Sequence, residues 1–387
     1  MSGKAIFVYH PDLEKYSFKP DHPFNPTRLR ITMSLLQELD LLKESDIVTP
    51  RLALVEELLL AHDQDYIRTV EKLSNAGFGE KEITFGIGTE DNPVFPDMHL
   101  AASLIVGATL TAGEEILEDR TDHAVSIAGG LHHAGRRQAS GFCIYNDINV
   151  AIRFLCRKYH IRVLYIDTDA HHGDGVQWEF YQDPNVLTVS FHETGRFLFP
   201  GTGWLNERGK KEGYGYCVNV PLEPFTDDAS FLECFREVLP PLVEAYQPDL
   251  IISQNGCDAH FYDSLTHLNL SINAYQEIPR LVHQLAHGFS GGKWLALGGG
   301  GYDPFRVVAR AWVLLWAEAA GLNVSERIPQ SWQKQWQRES PFPLPQTLFD
   351  SPEFFLSVPH RQEIAEKNLR TARQAVQDTL IILNKYI

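Results

Sequence analysis

Asp169 and His171 are separated by one residue and follow an apolar segment with the composition of a buried strand. In an extended backbone, residues two apart point to the same side, so both side chains can contact one ion. Asp258, at the end of another apolar segment, would be a third ligand. Two carboxylate oxygens and one imidazole nitrogen leave a position for water and substrate, as catalytic zinc sites do. The pattern predicts a metal-dependent hydrolase, although an isolated Asp-x-His is more often an ordinary hydrogen-bonded strand end.

Two adjacent histidines, His132 and His133, follow a pair of glycines, which permit tight turns and a close approach of the backbone to a ligand. Two further carboxylates, Asp167 and Asp174, flank the first two predicted metal ligands. A carboxylate bound to one imidazole nitrogen fixes the tautomer and raises the basicity of the ring. The sequence therefore predicts two Asp–His pairs. The chain has 16 histidines, and the competing interpretation is a pair of ordinary loop histidines.

Tyr302 directly follows four consecutive glycines. A phenol on such a loop beside a metal can donate a hydrogen bond to an oxyanion that develops during attack on a carbonyl. The alternative is a purely structural tyrosine. The glycines lack the Lys and Ser or Thr of a phosphate-binding loop, and nothing in the sequence indicates that Cys143 is activated as a thiolate. Direct attack by an activated water is therefore the predicted chemistry.

These candidate residues come directly after four of the apolar segments. In open parallel sheets, ligands bind at the carboxyl ends of the strands. Short apolar runs that alternate with amphipathic segments predict an α/β fold with a mainly parallel central sheet flanked by helices. The predicted strands are 5–9, 123–128, 162–166, 186–190, 250–253 and 294–297, and the predicted helices are 27–42, 100–117, 147–159, 228–246 and 274–287. The active site is expected at the C-terminal ends of the strands.

The end of the chain differs in composition from the rest. After Asn323 it is rich in Pro and Gln, and apolar residues then recur at three- to five-residue spacing from Ile364 to Leu383. This spacing predicts a terminal amphipathic helix. We expect a catalytic domain over residues 1–322 and a C-terminal extension over residues 323–387 whose helix packs on the same domain. A partner-binding role for that helix is the alternative.

The overall composition excludes several classes of protein. With 44% hydrophobic and 22% charged residues the chain can bury a large core. Its formal charge is −16 and it has no basic run, which disfavours binding to nucleic acid. The five cysteines form no Cys-x-x-Cys pair, as is typical of a reducing compartment. Without a leader-like N-terminus or a run of about 18 apolar residues, we expect a cytoplasmic protein that does not associate with membranes.

Taken together, the motifs resemble those of the histone deacetylase family over about residues 22–312, and especially its class I-like bacterial lysine deacetylases. The matching patterns are His22-Pro23-Phe24-Asn25-Pro26-Thr27-Arg28, Gly130-Leu131-His132-His133-Ala134, Ser140-Gly141-Phe142-Cys143, Ile166-Asp167-Thr168-Asp169-Ala170-His171-His172-Gly173-Asp174-Gly175, Phe199-Pro200-Gly201-Thr202-Gly203 and Leu297-Gly298-Gly299-Gly300-Gly301-Tyr302. The resemblance implies an arginase/deacetylase-like fold and hydrolysis of acetyl-lysine to lysine and acetate.

The resemblance also implies a role for individual residues. Zinc, with ferrous iron as the alternative, is implied at Asp169, His171 and Asp258. His133 is implied to be the general base and acid, and His132 to act mainly through its charge. The other implied catalytic residues are Asp167 and Asp174, which would orient His132 and His133 respectively, and Tyr302, which would polarise the acetyl carbonyl.

Further implied sites bind the substrate and monovalent cations. The substrate residues are Asp91 at the rim, Gly141, Phe142 and Phe199 along a narrow tunnel for the lysine stem, and Leu265. Family members carry structural potassium ions. One potassium site would use Asp167, Asp169 and His171 with the backbone of Ser190 and Phe191, and the other would use Phe180, Asp183, Val186 and Tyr216.

Two positions bear on the substrate and partners. Leu265 stands where polyamine deacetylases of this superfamily tend to have an acidic residue, which favours an acetylated protein or peptide as the substrate. Asn25 stands where the corepressor-bound eukaryotic enzymes have a lysine that helps to bind inositol phosphate, so regulation of that kind is not expected. The bacterial likeness suggests acetyl-CoA synthetase, in acetoin and acetate metabolism, as a substrate.

Three alternatives remain at this stage. An acetylpolyamine or other small-amide hydrolase would share every catalytic residue and differ at the rim. A non-catalytic acetyl-lysine binding module would keep the fold but would not need the ligands, the base and Tyr302 together. An arginase-like manganese hydrolase binds two metals through additional carboxylates and histidines, whereas this spacing supplies ligands for one.

Overall fold

Eight strands form one parallel sheet in the computed structural model, which describes residues 4–76, 82–355 and 357–383. The strand order is β2-β1-β3-β8-β7-β4-β5-β6. The strands are β1 (Ala5–Val8), β2 (Ile47–Val48), β3 (His123–Ser126), β4 (Val163–Asp167), β5 (Val186–Glu193), β6 (Cys217–Leu222), β7 (Leu250–Gln254) and β8 (Trp294–Leu297). The predicted α/β class with a parallel sheet is confirmed.

Helices flank this sheet, and those within the described residues have the following bounds. They are α1 (Thr27–Glu38), α2 (Val55–Leu58), α3 (Gln64–Ala76), α4 (Met98–Leu117), α5 (Asp147–Tyr159), α6 (Asp174–Phe180), α7 (Asp228–Tyr246), α8 (Ile272–Phe289), α9 (Ala309–Ala319), α10 (Gln330–Trp336) and α11 (Arg361–Leu383). The five helices predicted from periodicity correspond to α1, α4, α5, α7 and α8. The predicted first helix was too long, because α1 ends at Glu38.

The central strands are buried along their whole length. This is expected of a parallel sheet covered on both faces, and it explains why these strands were recognisable as apolar runs. Their register brings the strand ends together. Asp167, the last residue of β4, lies opposite Ser190 of β5 and Gln254 of β7. The loops that follow these strands therefore start from one edge of the sheet.

Two strands were missed by the sequence analysis. Strand β2 has only two residues, too few to produce a pattern. Strand β6 contains Asn219 and Pro221, which interrupt its apolar run. Pro221 is tolerated because β6 is an edge strand, where one row of backbone N–H groups has no neighbouring strand to bind.

Helix α4 is long and apolar enough to cross a membrane by length and composition, but 72% of its most apolar window is buried inside the protein. Gly113 allows α5 to approach closely, since a Cβ atom at this position would lie 2.6 Å from Leu155 Cδ1. Contacts with α5 and β3 cover its surface. These are the features of a core helix.

The C-terminal segment, from Asp350 through helix α11, packs on the rest of the chain. Helix α11 lies against α7 and β6, and the buried Asn368 donates hydrogen bonds to Thr226 (2.7 Å) and Ser230 (3.0 Å). Ahead of α11, the carboxylate of Asp350 accepts hydrogen bonds from the buried Arg310 guanidinium (2.7 Å) and the backbone N–H of Ile272 (2.9 Å). A buried ion pair thus joins residue 350 to helix α9.

The Asp350→Asn variant should lower the free energy of unfolding by roughly 3 kcal/mol, because it leaves the buried charge of Arg310 unpaired. Burial opposes ionisation of Asp350, but His260 and Arg310 outweigh it and hold its pKa well below the usual value. The ionised pair therefore stabilises the fold above the unfolded-state pKa of an aspartate, and this contribution is lost as the pH falls toward the folded-state pKa. Urea unfolding at pH 7 and at acidic pH measures both effects.

The matched control is Glu237→Gln, which removes the partner of Arg373 in an exposed ion pair. Exposed pairs contribute about 0–1 kcal/mol, so this variant should unfold close to the wild type. Equal stability of the Asp350→Asn variant and the wild type at pH 7 would contradict the importance of the buried pair.

Candidate active site

The predicted catalytic and metal-binding side chains come together at the carboxyl edge of the sheet. His132 and His133 lie in the loop after β3, and Asp169 and His171 lie after β4. Asp258 follows β7 and Tyr302 follows β8. These four strands lie side by side in the order β3-β8-β7-β4. The strand order therefore brings together residues that are up to 170 positions apart in the sequence.

Asp169, His171 and Asp258 are buried, and one ligand atom from each lies within 4.8 Å of the others. His171 Nδ1 lies 2.8 Å from Asp258 Oδ2 and 3.2 Å from Asp169 Oδ1. One imidazole nitrogen and two carboxylates at this spacing form the donor set of a mixed oxygen–nitrogen metal site.

Backbone and amide donors fix the two carboxylates. Asp169 Oδ2 accepts hydrogen bonds from Gln254 Nε2 (2.8 Å) and from the backbone N–H of Gly300 (2.7 Å). Asp258 Oδ1 accepts from the N–H of Ala170 (2.8 Å). Gly300 must lack a side chain, because a Cβ atom there would lie 2.3 Å from Asp258 Oδ2. Gln254 was not predicted from the sequence, because its role comes from a hydrogen bond to Asp169 in the loop after another strand.

The charge balance of this group favours a bound cation. Burial and the neighbouring Asp169 raise the pKa of Asp258 to about 8. Burial lowers the proton affinity of His171, but hydrogen bonds to Asp169 and Asp258 outweigh it and raise its pKa to about 10. Two carboxylates buried side by side thus require positive charge between them, and a divalent ion fits both the charge and the donor set.

Each of the two histidines is paired with the carboxylate expected from the sequence. His132 Nδ1 lies 2.8 Å from Asp167 Oδ2, and His133 Nδ1 lies 2.7 Å from Asp174 Oδ1. The Nε2 atoms of the two rings are 3.0 Å apart. Tyr165 also donates a hydrogen bond to Asp167 Oδ2 (2.6 Å), a support that the sequence analysis missed.

The two histidines differ in their proton affinity. Burial disfavours protonation of His132, but Asp167 outweighs it and raises the pKa of His132 to about 9. Burial and the neighbouring His132 lower the pKa of His133. A neutral His133 that donates Nδ1–H to Asp174 has an unprotonated Nε2, which lies 3.0 Å from His132 Nε2 and can accept a proton.

Aromatic rings surround the metal-ligand group. The centroid of Phe199 lies 5.0 Å from that of His133, and the side chain of Phe199 is 45% exposed. Phe142 packs edge-on against Tyr302 at 5.7 Å. Tyr302 itself packs edge-on against His171 at 6.5 Å. The two phenylalanines thus flank the polar centre with apolar surface.

Asp91 and Leu265 are farther from the metal ligands but are joined to these walls. The carbonyl of Asp91 accepts a hydrogen bond from His22 Nε2 (3.2 Å), and the His22 ring packs against Phe142. Leu265 is half-buried, and its N–H donates to Asp263 Oδ1 (3.0 Å). The other oxygen of Asp263 accepts from the N–H of Tyr302 (2.8 Å). Asp263, not predicted from the sequence, thus positions both Tyr302 and Leu265.

A buried guanidinium supports the glycine loop ahead of Tyr302. Arg28 Nη1 donates to the carbonyl of Gly299 (2.7 Å) and lies 3.4 Å from that of Gly301. Its guanidinium also stacks on Phe24, 3.9 Å from the ring centroid. Arg28 was known only as part of a sequence motif, and its contact across 271 positions gives it a structural role.

The predicted potassium sites lie where neighbouring strands meet. Asp167 and Ser190 are register partners in β4 and β5. In the other group, the carbonyl of Phe180 accepts from the N–H of Asp183 (3.0 Å), and that of Tyr216 accepts from the N–H of Thr188 (3.0 Å). Both sites stay predictions.

Comparison with known proteins defines the class to which this site belongs. The family model described as "Histone deacetylase domain" matches residues 22–319. The chain therefore belongs to the histone deacetylase family and is a deacetylase, with the fold that the family motifs implied.

Particular relatives cover nearly the whole chain. "Acetoin utilization protein AcuC" of Bacillus subtilis (strain 168) is 52% identical over 374 residues, which are 96% of each chain. The protein of the same name from Staphylococcus xylosus is 42% identical and covers 97% of this chain and 98% of its own. The crystal structure of an HDAC homolog from Aquifex aeolicus matches with a TM-score of 0.85 and 32% identity, over 96% of this chain and 100% of that one.

The Gly141→Ala variant should lower the kcat of deacetylation about 100-fold, since misplacing a reacting group by about 1 Å can have that effect. Gly141 has φ +49°, and a Cβ atom there would lie 2.3 Å from His133 Cδ2. Acetate release under saturating substrate measures the change. Gly135→Ala is the control, because a Cβ atom at Gly135 meets nothing within 4 Å. An unchanged kcat in Gly141→Ala would show that His133 is not held by this contact.

Proposed function

We propose that this protein is a zinc-dependent lysine deacetylase that hydrolyses acetyl-lysine in proteins to lysine and acetate. The observation that carries the proposal is the convergence of Asp169, His171 and Asp258 within 4.8 Å. The centroid of the His133 ring is 6.0 Å from that of His171, and the ring of Tyr302 packs edge-on against His171. A metal site, a base and a hydrogen-bond donor therefore face one small space.

Zinc is favoured by membership of the family and by the donor set, and ferrous iron is the alternative because the same mixed ligands suit it. A bound metal would supply Lewis acidity, which polarises the acetyl carbonyl and lowers the pKa of water at the site toward ~7. Asp169, His171 and Asp258 would hold this ion. Gln254 and the N–H of Gly300 would keep Asp169 oriented.

His133 would move the protons of the reaction. Its Nδ1–H donates to Asp174, so its Nε2 can take a proton from the attacking water and later return it to the leaving lysine amine. His132, paired with Asp167, would remain protonated and stabilise negative charge nearby. The lowered pKa of His133 and the raised pKa of His132 support this division of roles.

Tyr302 would donate a hydrogen bond to the developing oxyanion. Burial and the carboxylate of Asp258 raise its pKa well above the usual value, so the phenol keeps its proton at neutral pH. The hydrogen bond from the backbone N–H of Tyr302 to Asp263 fixes the position of Tyr302 on its loop. A neutral, positioned donor of this kind is suited to stabilising a tetrahedral intermediate.

The apolar walls suit the methylene stem of an acetylated lysine. Gly141, Phe142 and Phe199 would enclose the stem, and the carboxylate of Asp91 would hold the substrate backbone outside the opening. Leu265 would favour a lysine stem over the second ammonium of a polyamine. We propose residues 1–322 as the catalytic domain and 323–387 as an extension packed on it. The contacts of α11 and of Asp350 support this packing.

The names of the relatives suggest a physiological setting. The name "Acetoin utilization protein" supports a role in acetoin metabolism. We propose that the protein acts in the cytoplasm, in acetoin and acetate metabolism, with acetyl-CoA synthetase as the acetylated substrate. A net charge of −16 would favour encounter with lysine-rich segments at low salt. Acetylation of acetyl-CoA synthetase should rise in a strain that lacks this chain, as measured by mass spectrometry. Unchanged acetylation would contradict this substrate and leave the chemistry intact.

The His133→Ala and Tyr302→Phe variants of the zinc-loaded protein should lose 100-fold or more of the kcat on an acetyl-lysine peptide, as expected for a proton-transfer group and an oxyanion donor. Tyr214→Phe is the control, because Tyr214 is exposed and outside the site. Acetate release is the measurement, with acetylspermidine as a second substrate. Turnover of acetylspermidine alone would assign a polyamine deacetylase, and turnover of neither would contradict both of these substrate classes.

The Leu265→Glu variant should raise the ratio of kcat/KM for acetylspermidine to kcat/KM for the peptide about tenfold, because a glutamate at the rim attracts the second ammonium group of a polyamine. Leu265→Gln is the matched control, with a similar size and no charge. The ratio should return toward the wild-type value in high salt. An equal ratio in the Glu and Gln variants would remove Leu265 from the determinants of specificity.

A further inference from the structure

A second group of three histidines lies at the opposite end of the sheet from the candidate active site. His123 is the first residue of β3, and the loop with His132 and His133 follows the other end of that strand. His283 and His287 are four residues apart in the last turns of α8. Residues at this spacing lie on the same face of a helix. The two helical histidines therefore face His123 together.

The ring nitrogens of this group are spaced as metal ligands are. One nitrogen from each of the three rings lies within 4.8 Å of the others. The Nε2 atoms of His283 and His287 are 3.0 Å apart. The ring centroids of His123 lie 4.6 Å from His283 and 5.1 Å from His287. A small ion placed between the rings could contact all three with modest side-chain adjustment.

His123 supplies an independent indication of a missing ligand. The residue is fully buried, and within the described part of the chain neither of its ring nitrogens has a hydrogen-bond partner. The backbone of Gly292 lies near the ring but does not meet the geometry of a hydrogen bond. Buried polar groups are almost always paired, and an ion bound with His283 and His287 would give one of these nitrogens a partner.

A carboxylate of a neighbouring helix orients one of the three histidines, as is common for histidines that bind metal. His283 Nδ1 donates to Glu318 Oε1 of α9 (2.7 Å), which directs its Nε2 toward His287. A carboxylate on the outer nitrogen is the usual support of a histidine that binds metal through the inner one. His287 is only partly buried, so an ion and a water ligand have access from solvent.

We propose that His123, His283 and His287 form a second metal site that binds a divalent transition ion of the zinc class. Three neutral imidazoles suit zinc, copper and nickel and do not suit magnesium or calcium. Glu318 is the supporting residue. The ion would join the start of β3 to the end of α8 and, through Glu318, to α9. Its role is structural, because the candidate catalytic residues lie at the other edge of the sheet.

The number of zinc ions bound per chain, measured in the wild type and in the Asp169→Ala/Asp258→Ala variant, tests the proposal. After equilibration with Zn²⁺ and dialysis, the wild type should hold two zinc ions per chain, and the His287→Ala variant should hold one with unchanged deacetylase activity. The Asp169→Ala/Asp258→Ala variant should also hold one, and adding His287→Ala should remove it. With Co²⁺ as the probe in that double variant, the visible absorption reports the imidazole ligands directly.

Two further variants separate binding from folding. Glu318→Gln should weaken zinc binding 10- to 100-fold while all three ligands stay present. His360→Asn removes an exposed histidine at a left-handed backbone position that Asn tolerates, and it should bind as the wild type does. Zinc should also raise the Tm of the Asp169→Ala/Asp258→Ala variant, and this rise should disappear with His287→Ala.

The proposal is overturned if the Asp169→Ala/Asp258→Ala variant holds no zinc, or if its zinc is retained after both His283→Ala and His287→Ala. The result is separate from the proposed function. The Asp169→Ala/Asp258→Ala variant could hold as much zinc as the wild type and lose it when His287→Ala is added. That result would support the histidine site and contradict the proposed catalytic metal site.

Discussion

The candidate active site depends on placing two carboxylates, Asp169 and Asp258, side by side in the interior of the protein. Moving a charge out of water costs several kcal/mol even in a relaxed protein, so both groups need compensation. The structure supplies it from Gln254, from backbone N–H groups and from His171. The remaining need for positive charge is what makes the position suitable for a divalent ion. The same constraint explains Gly300, because any side chain there would collide with both carboxylates.

A parallel sheet can place two carboxylates side by side with short loops. Its strands end at one edge, so the loops after β3, β4, β7 and β8 reach the same space. The loops are then held from outside by side chains of the flanking helices. Arg28 of α1 binds the carbonyl of Gly299, and Trp312 of α9 donates to the carbonyl of Asn255 (3.1 Å). Rigidity of the site thus comes from contacts that are distant in the sequence.

This division explains what could be predicted from the sequence. The buried strands and the glycine-rich segments after them form local patterns, so the fold class and the set of candidate residues were accessible. Strand β6 was not, because Asn219 and Pro221 break its pattern, and Gln254 and Asp263 were not, because a single polar residue gains its role only from a partner in another loop. The pair His283 and His287 is a local signal as well, but His123 is 160 positions away and only the sheet brings it near. The roles of the individual site residues and the domain boundary at residue 322 remain predictions.

The two groups of candidate ligands differ in a way that bears on their roles. Two carboxylates and one imidazole would neutralise a divalent ion, whereas three neutral imidazoles would not. At the second group the nearby negative charges are Glu318, which accepts a hydrogen bond from His283, and Asp122, which lies near His123 and His287. The first group faces a space lined by two histidine–carboxylate pairs and a phenol, and the second lies between the start of β3 and the end of α8, with His287 partly open to solvent. A catalytic metal needs reactive groups beside its open position, and the candidate groups of that kind lie beside the first group. The fold would thus use opposite edges of one sheet for the proposed reaction and for the proposed structural ion, because the candidate catalytic side chains lie at the carboxyl edge.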